Sequence, residues 1–255
     1  MTDTLQVSLE AAARLIRQAK RIVCLTGAGV SAESGVATFR DTEDGMWSRF
    51  DPQLLASQEG FAANPGQVWQ WYMHRLMAVE SAHPNPGHRA LAGFELYAPS
   101  FTVITQNVDD LHERGGSRHV LHLHGRITRF RCNVCTFEHE LLPAEKHATR
   151  PPHCLSCGGA VRPDVVWFGE PLPARIFDKA WHESERCDVF LLIGTSAVVY
   201  PAAHLPVVAQ QHGARIVEIN PDKTALTERA DIHLAGRSGV VLPHLLNLIA
   251  ERQSV

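Results

Sequence analysis

The sequence predicts an α/β fold in which a parallel, doubly wound sheet carries a small inserted module. Short continuous apolar runs alternate with amphipathic stretches along most of the chain, as buried parallel strands joined by helices require. Polar clusters at 27–31, 106–109, 194–196 and 220–221 each follow such a run. In sheets of this kind ligands bind beyond the carboxyl ends of the strands, so the four clusters are expected to share one site. Between 126 and 163 the alternation stops, and two close cysteine pairs take its place: Cys132-Asn133-Val134-Cys135 and Cys154-Leu155-Ser156-Cys157.

The elements read in order as follows. Ser8 caps a helix to about Lys20, with Leu9, Ala12, Ala13 and Ile16 on one face. Residues 22–25 are a buried strand that runs into Gly27-Ala28-Gly29. Residues 36–66 are expected as a long loop, and loops of that length are usually functional. Helices follow over 66–80 and 88–96. Strands are expected at 101–105 and 120–124, the second stopped by Gly125. Alternation resumes at 165–168 and leads to a helix near 173–185. A core strand at 189–193 ends in Gly194-Thr195-Ser196, and a helix near 201–212 follows. The strand at 215–219 ends in Asn220-Pro221, and 240–249 is the final helix.

The 255 residues suffice for one large domain or a large and a small one, and 45% apolar residues supply a core. A net charge of -3 argues against a general nucleic-acid or membrane-surface binder. The first residues are not basic, and no apolar run is long enough to span a bilayer, so a cytoplasmic protein is expected. Four thiols in two pairs match the ligand spacing of a tetrahedral zinc site, and a complete set of four leaves no position for water. Such a zinc is structural. The pattern also favours a reducing compartment over disulfides. Cys24 and Cys187 stand in or beside apolar runs and are expected as buried small hydrophobes.

Gly27-Ala28-Gly29-Val30-Ser31-Ala32 follows a strand and opens a helix. Read alone, it fits a phosphate-cradling turn and a plain tight strand–helix turn equally. The acidic ribose contact of ordinary dinucleotide folds has no clean counterpart about 20 residues on. That counts against an ordinary dehydrogenase. His122 and His124 lie on one strand face, so a His-x-His metal pair competes with other roles. The cysteines already supply a complete metal site.

Several motifs together resemble the sirtuins, NAD-dependent protein-lysine deacylases. They are Gly27 to Gly35 with Thr38-Phe39-Arg40, Thr105 to His112, His124-Gly125, the cysteine pairs, Arg162 to Glu170, Gly194-Thr195-Ser196 and Asn220-Pro221. They occur in order from about residue 20 to 240. The resemblance implies a Rossmann-like NAD-binding domain over 1–125 and 164–255, with a cofactor loop and a helical acyl-pocket part within 36–90. The small zinc-ribbon domain would be 126–163. It implies cofactor contacts from Gly27, Ala28, Gly29, Ser31, Phe39, Arg40, Gln106, Asn107, Asp109, Gly194, Thr195, Ser196, Asn220, Pro221 and Ala235. Many family members have Asp-Phe-Arg where this chain has Thr38-Phe39-Arg40. Val165, Phe168, Gly169 and Glu170 would meet the substrate, whose backbone pairs as an added strand. The implied reaction joins NAD, an acylated lysine and water, and gives free lysine, nicotinamide and O-acyl-ADP-ribose. It needs a base near neutral pH, a task that suits imidazole, and His124 matches the family's catalytic histidine.

The acyl group is legible too. Tyr72 and Arg75 share a helix face, and Tyr72-Met73-His74-Arg75 resembles the Tyr-x-x-Arg of sirtuins that remove acidic acyl groups. Ala56 matches the small residue that widens their pocket. A succinyl or malonyl carboxylate is costly to bury unpaired, and a guanidinium with a phenol can satisfy it. The expected enzyme is a monomer that acts on succinyl-, malonyl- and also acetyl-lysine proteins, with no nucleic-acid or membrane partner. Protein mono-ADP-ribosyltransfer and a non-catalytic zinc-ribbon binding module are the competing readings.

Overall fold

The computed structural model describes residues 3–36 and 51–251. The chain begins with helix α1 (Asp3–Gln18), strand β1 (Arg21–Thr26) and the short helix α2 (Ala28–Ala32). Helices α3 (Pro52–Leu55), α4 (Gln58–Ala63), α5 (Pro65–Ser81) and α6 (Pro86–Phe94) come next. Then follow β2 (Ser100–Thr105), α7 (Leu111–Arg114), β3 (Val120–His122), β4 (Gly125–Cys132), β5 (Glu138–His139) and β6 (Val161–Val165). The chain closes with α8 (Ala174–Arg186), β7 (Val189–Ile193), α9 (Leu205–Gln211), β8 (Arg215–Asn220), β9 (Ile232–Ala235) and α10 (Ser238–Ala250).

Six strands form one parallel sheet in the order β3-β2-β1-β7-β8-β9. The order reverses between β1 and β7, which opens a crevice at their carboxyl ends. Both faces are covered, and the strand period shows it. Ile22 and Cys24 of β1 join the core under α1, α6 and α10, with Leu9, Ile16, Phe94 and Leu245. Val23 and Leu25 point the other way, into the core with Ala180 of α8 and Leu205 and Ala209 of α9. Cys24 and Cys187 are buried as expected, and burial pushes the Cys187 thiol up to about 12.

A second, antiparallel sheet has the order β5-β4-β6. Its core is shared with α4 and α5 and is rich in aromatics: Phe61, Trp69, Trp71, Tyr72, Phe130 and Trp167. Gly125 starts β4 with φ +75, and a Cβ there would meet the Asp164 carbonyl oxygen at 2.0 Å. Only glycine lets the two strands approach this closely at that backbone angle.

Four expectations are corrected. Ser8 lies inside α1, which already begins at Asp3, and so does not cap it. The described part of the supposed loop over 36–66 is helical from Pro52 onward. Ser57 caps α4 by accepting from the Gly60 N–H, and Asn64 caps α5 by accepting from Gln67. The strand expected at 120–124 ends at His122. The strand expected at 165–168 belongs to the small sheet as Val161–Val165, and its continuation is held by single hydrogen bonds instead.

Two histidines are sealed behind β1. His112 Nε2 lies 2.9 Å from Thr26 Oγ1, and its ring packs edge-on against His88 at 4.9 Å. His88 Nε2 and His112 Nδ1 have no partner among the described residues. Burial pushes His88 down to about 4 and His112 down to about 3 from 6.5. Both stay neutral in the folded chain where the unfolded chain takes up protons. Their contribution is therefore complete above pH 6.5 and is lost as the pH falls below it, roughly 2 kcal/mol per histidine by pH 5. We predict a melting temperature that drops between pH 7.5 and pH 5, and a shallower drop in His112→Gln. A pH-independent melting temperature contradicts the burial of neutral rings.

Candidate active site and metal centre

A cavity of about 880 Å³ opens at the carboxyl ends of β1, β2, β7 and β8. Its first wall is the turn between β1 and α2. Gly27 N–H donates to the Ile193 carbonyl at 3.1 Å and Gly29 N–H to the Gly194 carbonyl at 2.9 Å. A Cβ on Gly29 would lie 2.7 Å from the Gly194 oxygen, and one on Gly27 would lie 2.7 Å from Thr195 Cβ. These glycines are thus demanded by the approach of β1 to β7, before any ligand is considered. Asn85 holds the turn from outside: its Nδ2 donates to the Val30 carbonyl at 2.7 Å and to Ser34 Oγ at 3.0 Å. Glu33 accepts from Ser238 Oγ and the Gly239 N–H, each at 2.9 Å, and so caps α10 from a distant part of the chain.

The second wall follows β2. Gln106 N–H donates to the Thr26 carbonyl at 3.0 Å, and its side chain donates to Thr195 Oγ1 at 2.9 Å. Asn107 Nδ2 donates to Ser31 Oγ at 2.9 Å, and that hydroxyl donates to Asp109 Oδ2 at 2.9 Å. Burial raises the Asp109 carboxyl, while the N–H of Leu111 and the Ser31 hydroxyl oppose the shift. Asn220 Nδ2 donates to the Thr195 carbonyl at 2.9 Å and ties the β7 loop to the β8 loop.

His124 stands just past β3, half-buried at the cavity. Its Nδ1 lies 2.9 Å from the Gln106 carbonyl oxygen. A carbonyl only accepts, so Nδ1 carries the hydrogen and Nε2 keeps its lone pair. Burial holds this imidazole below the ordinary histidine range, and the Gln106 bond opposes the shift. His122 is turned away: its Nε2 pairs with Glu113 Oε1 at 2.8 Å. The two rings contact different partners, and no metal cluster of the described residues includes them.

The third wall is 165–170. Val166 N–H donates to the His124 carbonyl and Phe168 N–H to the Ala56 carbonyl, each at 2.9 Å. Arg162, fully buried, reaches both oxygens of Glu170 at 2.6 and 3.0 Å. Tyr72 and Ala56 line the cavity beside this wall.

The structure gathers most of the expected site residues round one space: Gly27, Ala28, Gly29, Gln106, Asn107, His124, Gly194, Thr195, Ser196, Asn220, Pro221, Ala56, Tyr72, Val165, Phe168, Gly169 and Glu170. Ser31 and Asp109 stand behind this lining, joined to it through Asn107. Ala235 ends β9 outside the lining, and Arg75 is half-buried with its guanidinium 5.1 Å from the Trp71 ring centre. Phe39 and Arg40 lie outside the described residues. Sequence reasoning missed Tyr200, Lys223, Arg237 and Ser238 at the cavity. Arg237 and Ser238 follow β9, a four-residue strand that escapes a search for apolar runs because His233 interrupts it.

Away from this cavity, all four sulfurs of Cys132, Cys135, Cys154 and Cys157 lie within 4.8 Å of one another. Two of the separations are 3.5 and 3.6 Å, close to the edge of about 3.8 Å expected for a zinc–thiolate tetrahedron. Cys132 Sγ accepts from the N–H groups of Val134 and Cys135, and Cys154 Sγ accepts from Ser156. These donors favour thiolate, the form that binds metal. The donor set fits zinc, which when bound ties the two loops together and stabilises the small sheet.

Comparison with known proteins gives a consistent result. The Sir2 family matches residues 27–201. An Archaeoglobus fulgidus protein described as NAD-dependent protein deacylase 1 is 48% identical over 241 residues, 94% of this chain and 98% of its own length. A Pseudomonas aeruginosa protein of the same description is 46% identical over 93% of this chain and 98% of its own. A crystal structure of a Sir2 homologue–NAD complex superposes with a TM-score of 0.88 at 46% identity, covering 95% of this chain and 94% of that one. Sir2Af2 bound to a myristoylated histone peptide gives 0.81 at 34% identity, covering 98% and 99%.

Zinc analysis of the purified chain is predicted to give one ion per chain. Cys154→Ser should lose that ion and several kcal/mol of stability. A Cys154→Ser protein that melts like wild type contradicts a structural metal.

Proposed function

This chain belongs to the Sir2 family, and from that premise we propose that it is an NAD-dependent protein-lysine deacylase whose preferred acyl groups end in a carboxylate. The observation that carries the reading is His124, whose Nδ1 bonds the Gln106 carbonyl and whose Nε2 has no partner among the described residues, at the mouth of a crevice that ends four parallel strands. The strand-end clusters supply N–H groups, amides and hydroxyls for a dinucleotide: Gly27, Ala28, Gly29 and Ser31 from the first turn, and Gln106 from β2. Gly194, Thr195, Ser196, Asn220, Pro221 and, beyond β9, Ala235 complete the nucleotide half. Asn107 and Asp109 would hold the nicotinamide amide. The Asp109 carboxylate can accept from that amide's N–H group. Phe39 and Arg40, outside the described residues, are assigned to the cofactor by the sequence motif alone.

The acyl-lysine enters from the opposite side, along Val165, Phe168, Gly169 and Glu170. The edge formed there offers main-chain groups to an extended peptide, which makes sequence selectivity modest. Nicotinamide leaves the ribose, the acyl oxygen bonds to C1′, and His124 Nε2 takes the proton of a ribose hydroxyl as its oxygen attacks the acyl carbon. One water is consumed, and the products are lysine, nicotinamide and O-acyl-ADP-ribose. A protein of net charge -3 with metal-binding thiols fits a monomeric enzyme of the cytoplasm, acting on proteins rather than on nucleic acid or membranes. Among the described residues no helix is long and apolar enough to cross a membrane. We assign 1–125 with 164–255 to the NAD-binding domain and 126–163 to the zinc module.

The acidic-acyl reading draws on Tyr72 at the cavity, on Ala56 beside it, and on the charge of Arg75, which acts on the Tyr72 phenol. Wild type should deacylate peptides only with NAD, and His124→Ala should lose at least about 100-fold in kcat/KM. Because neutral imidazole is the active form and its pKa is lowered, the acid limb of kcat/KM should lie below pH 6.5. NAD-independent deacylation, or full turnover in His124→Ala, contradicts the mechanism. Arg75→Met should cut desuccinylation far more than deacetylation, and equal losses on both would refute the carboxylate clamp.

A further inference from the structure

Trp167 is buried beside the acyl end of the cavity, and its Nε1 donates to Tyr72 Oη at 2.8 Å. A phenol offers one hydrogen and two lone pairs, while an indole can only donate. The Trp167 bond therefore occupies one lone pair of Tyr72, fixes how the phenol oxygen is approached and cannot take its hydrogen. Among the described residues that hydrogen has no acceptor of its own, and Tyr72 lines the cavity. Burial raises the phenol above its ordinary range, so the hydrogen is always present.

The indole is itself fixed on three sides. The Arg162 guanidinium carbon lies 3.1 Å from its ring centre. Glu170 grips that guanidinium through both oxygens and also accepts from the Trp167 N–H at 2.9 Å. Phe61 packs against the ring at 5.2 Å. A cation on the face of an indole draws electron density from it and makes the N–H a stronger donor. Arg162 is buried with its charge paired, so the indole cannot readily turn away from Tyr72.

We propose that Trp167 is a specificity-determining residue: by donating to the Tyr72 oxygen it makes the phenol a committed hydrogen-bond donor facing the acyl end, and so selects acyl groups that end in an acceptor such as a carboxylate. This rests on the acidic-acyl reading above. A phenol without the indole donor could turn its hydrogen elsewhere and accept instead. The committed one has no favourable contact for a methyl terminus and a strong one for an anion.

The test is the ratio of kcat/KM on succinyl-lysine to that on acetyl-lysine, in one peptide sequence with saturating NAD. It is measured for wild type, Trp167→Phe, Tyr72→Phe and the double variant. Phenylalanine keeps an aromatic face for Arg162 and removes the N–H. Whatever its loss on the acetyl peptide, Trp167→Phe should lower the ratio about tenfold or more. The double variant should show no lower ratio than Tyr72→Phe alone, because the indole acts only through the phenol. If Trp167→Phe does not fold, benzothienylalanine at 167 keeps the ring shape without the N–H and should lower the ratio equally. A wild type with no desuccinylation overturns the acidic-acyl reading. A wild type that desuccinylates, with a ratio unmoved at 167 or lowered independently of Tyr72, overturns the role of Trp167 alone.

Discussion

β1 and β7 meet at their carboxyl ends with no space for a side chain between them. Gly27 and Gly29 lie against Gly194 and Thr195 so closely that a Cβ on either glycine would overlap the facing backbone or side chain. This contact sits where the strand order reverses, and so it sets the position of the crevice. The turns after β2 and β8 are then hydrogen-bonded to it, through Gln106 to Thr26 and Asn220 to Thr195. His124 is oriented by the same Gln106. One steric constraint thus reaches the imidazole through two hydrogen bonds.

The opposite wall depends on a different device, a buried charge. Arg162 lies at the junction of the small sheet and the 165–170 segment, and its cost of burial is offset by Glu170, backbone carbonyls and Asn133. Asn133 is part of the first cysteine knuckle and also bonds Gln58 at the start of α4. The cysteine module, the 165–170 segment and the α4 region therefore share one polar cluster. Removing either ion of such a pair leaves the other buried and unpaired, which is far costlier than losing a surface pair.

The main sheet was legible because buried parallel strands are nearly all apolar, as in Val189–Ile193, and the strands expected at 22–25, 101–105, 189–193 and 215–219 all lie in it. The cysteine site was legible because metal ligands obey spacing. The short elements were not. β9 is four residues with a histidine inside, and α3 and α4 stand in a stretch whose prolines and glycine read as loop. In the structure those prolines start helices and Gly60 receives a cap. The site's supports were equally hidden: Asn85, Glu33 and, in its bond to Asn133, Arg162 act across tens of residues or more, through contacts that no local pattern records. The glycines of the first turn read in the sequence equally as a phosphate cradle and as a plain tight turn, whereas the structure shows them first as room for another strand.

In the proposed reaction the sugar of a dinucleotide bound in this crevice captures the acyl group. The most direct measurement is the mass of the ADP-ribose product formed from a succinyl-lysine peptide, alongside nicotinamide and free lysine. The expected result is O-succinyl-ADP-ribose in equal amount to nicotinamide and deacylated peptide. Release of free succinate with the dinucleotide left intact would contradict it.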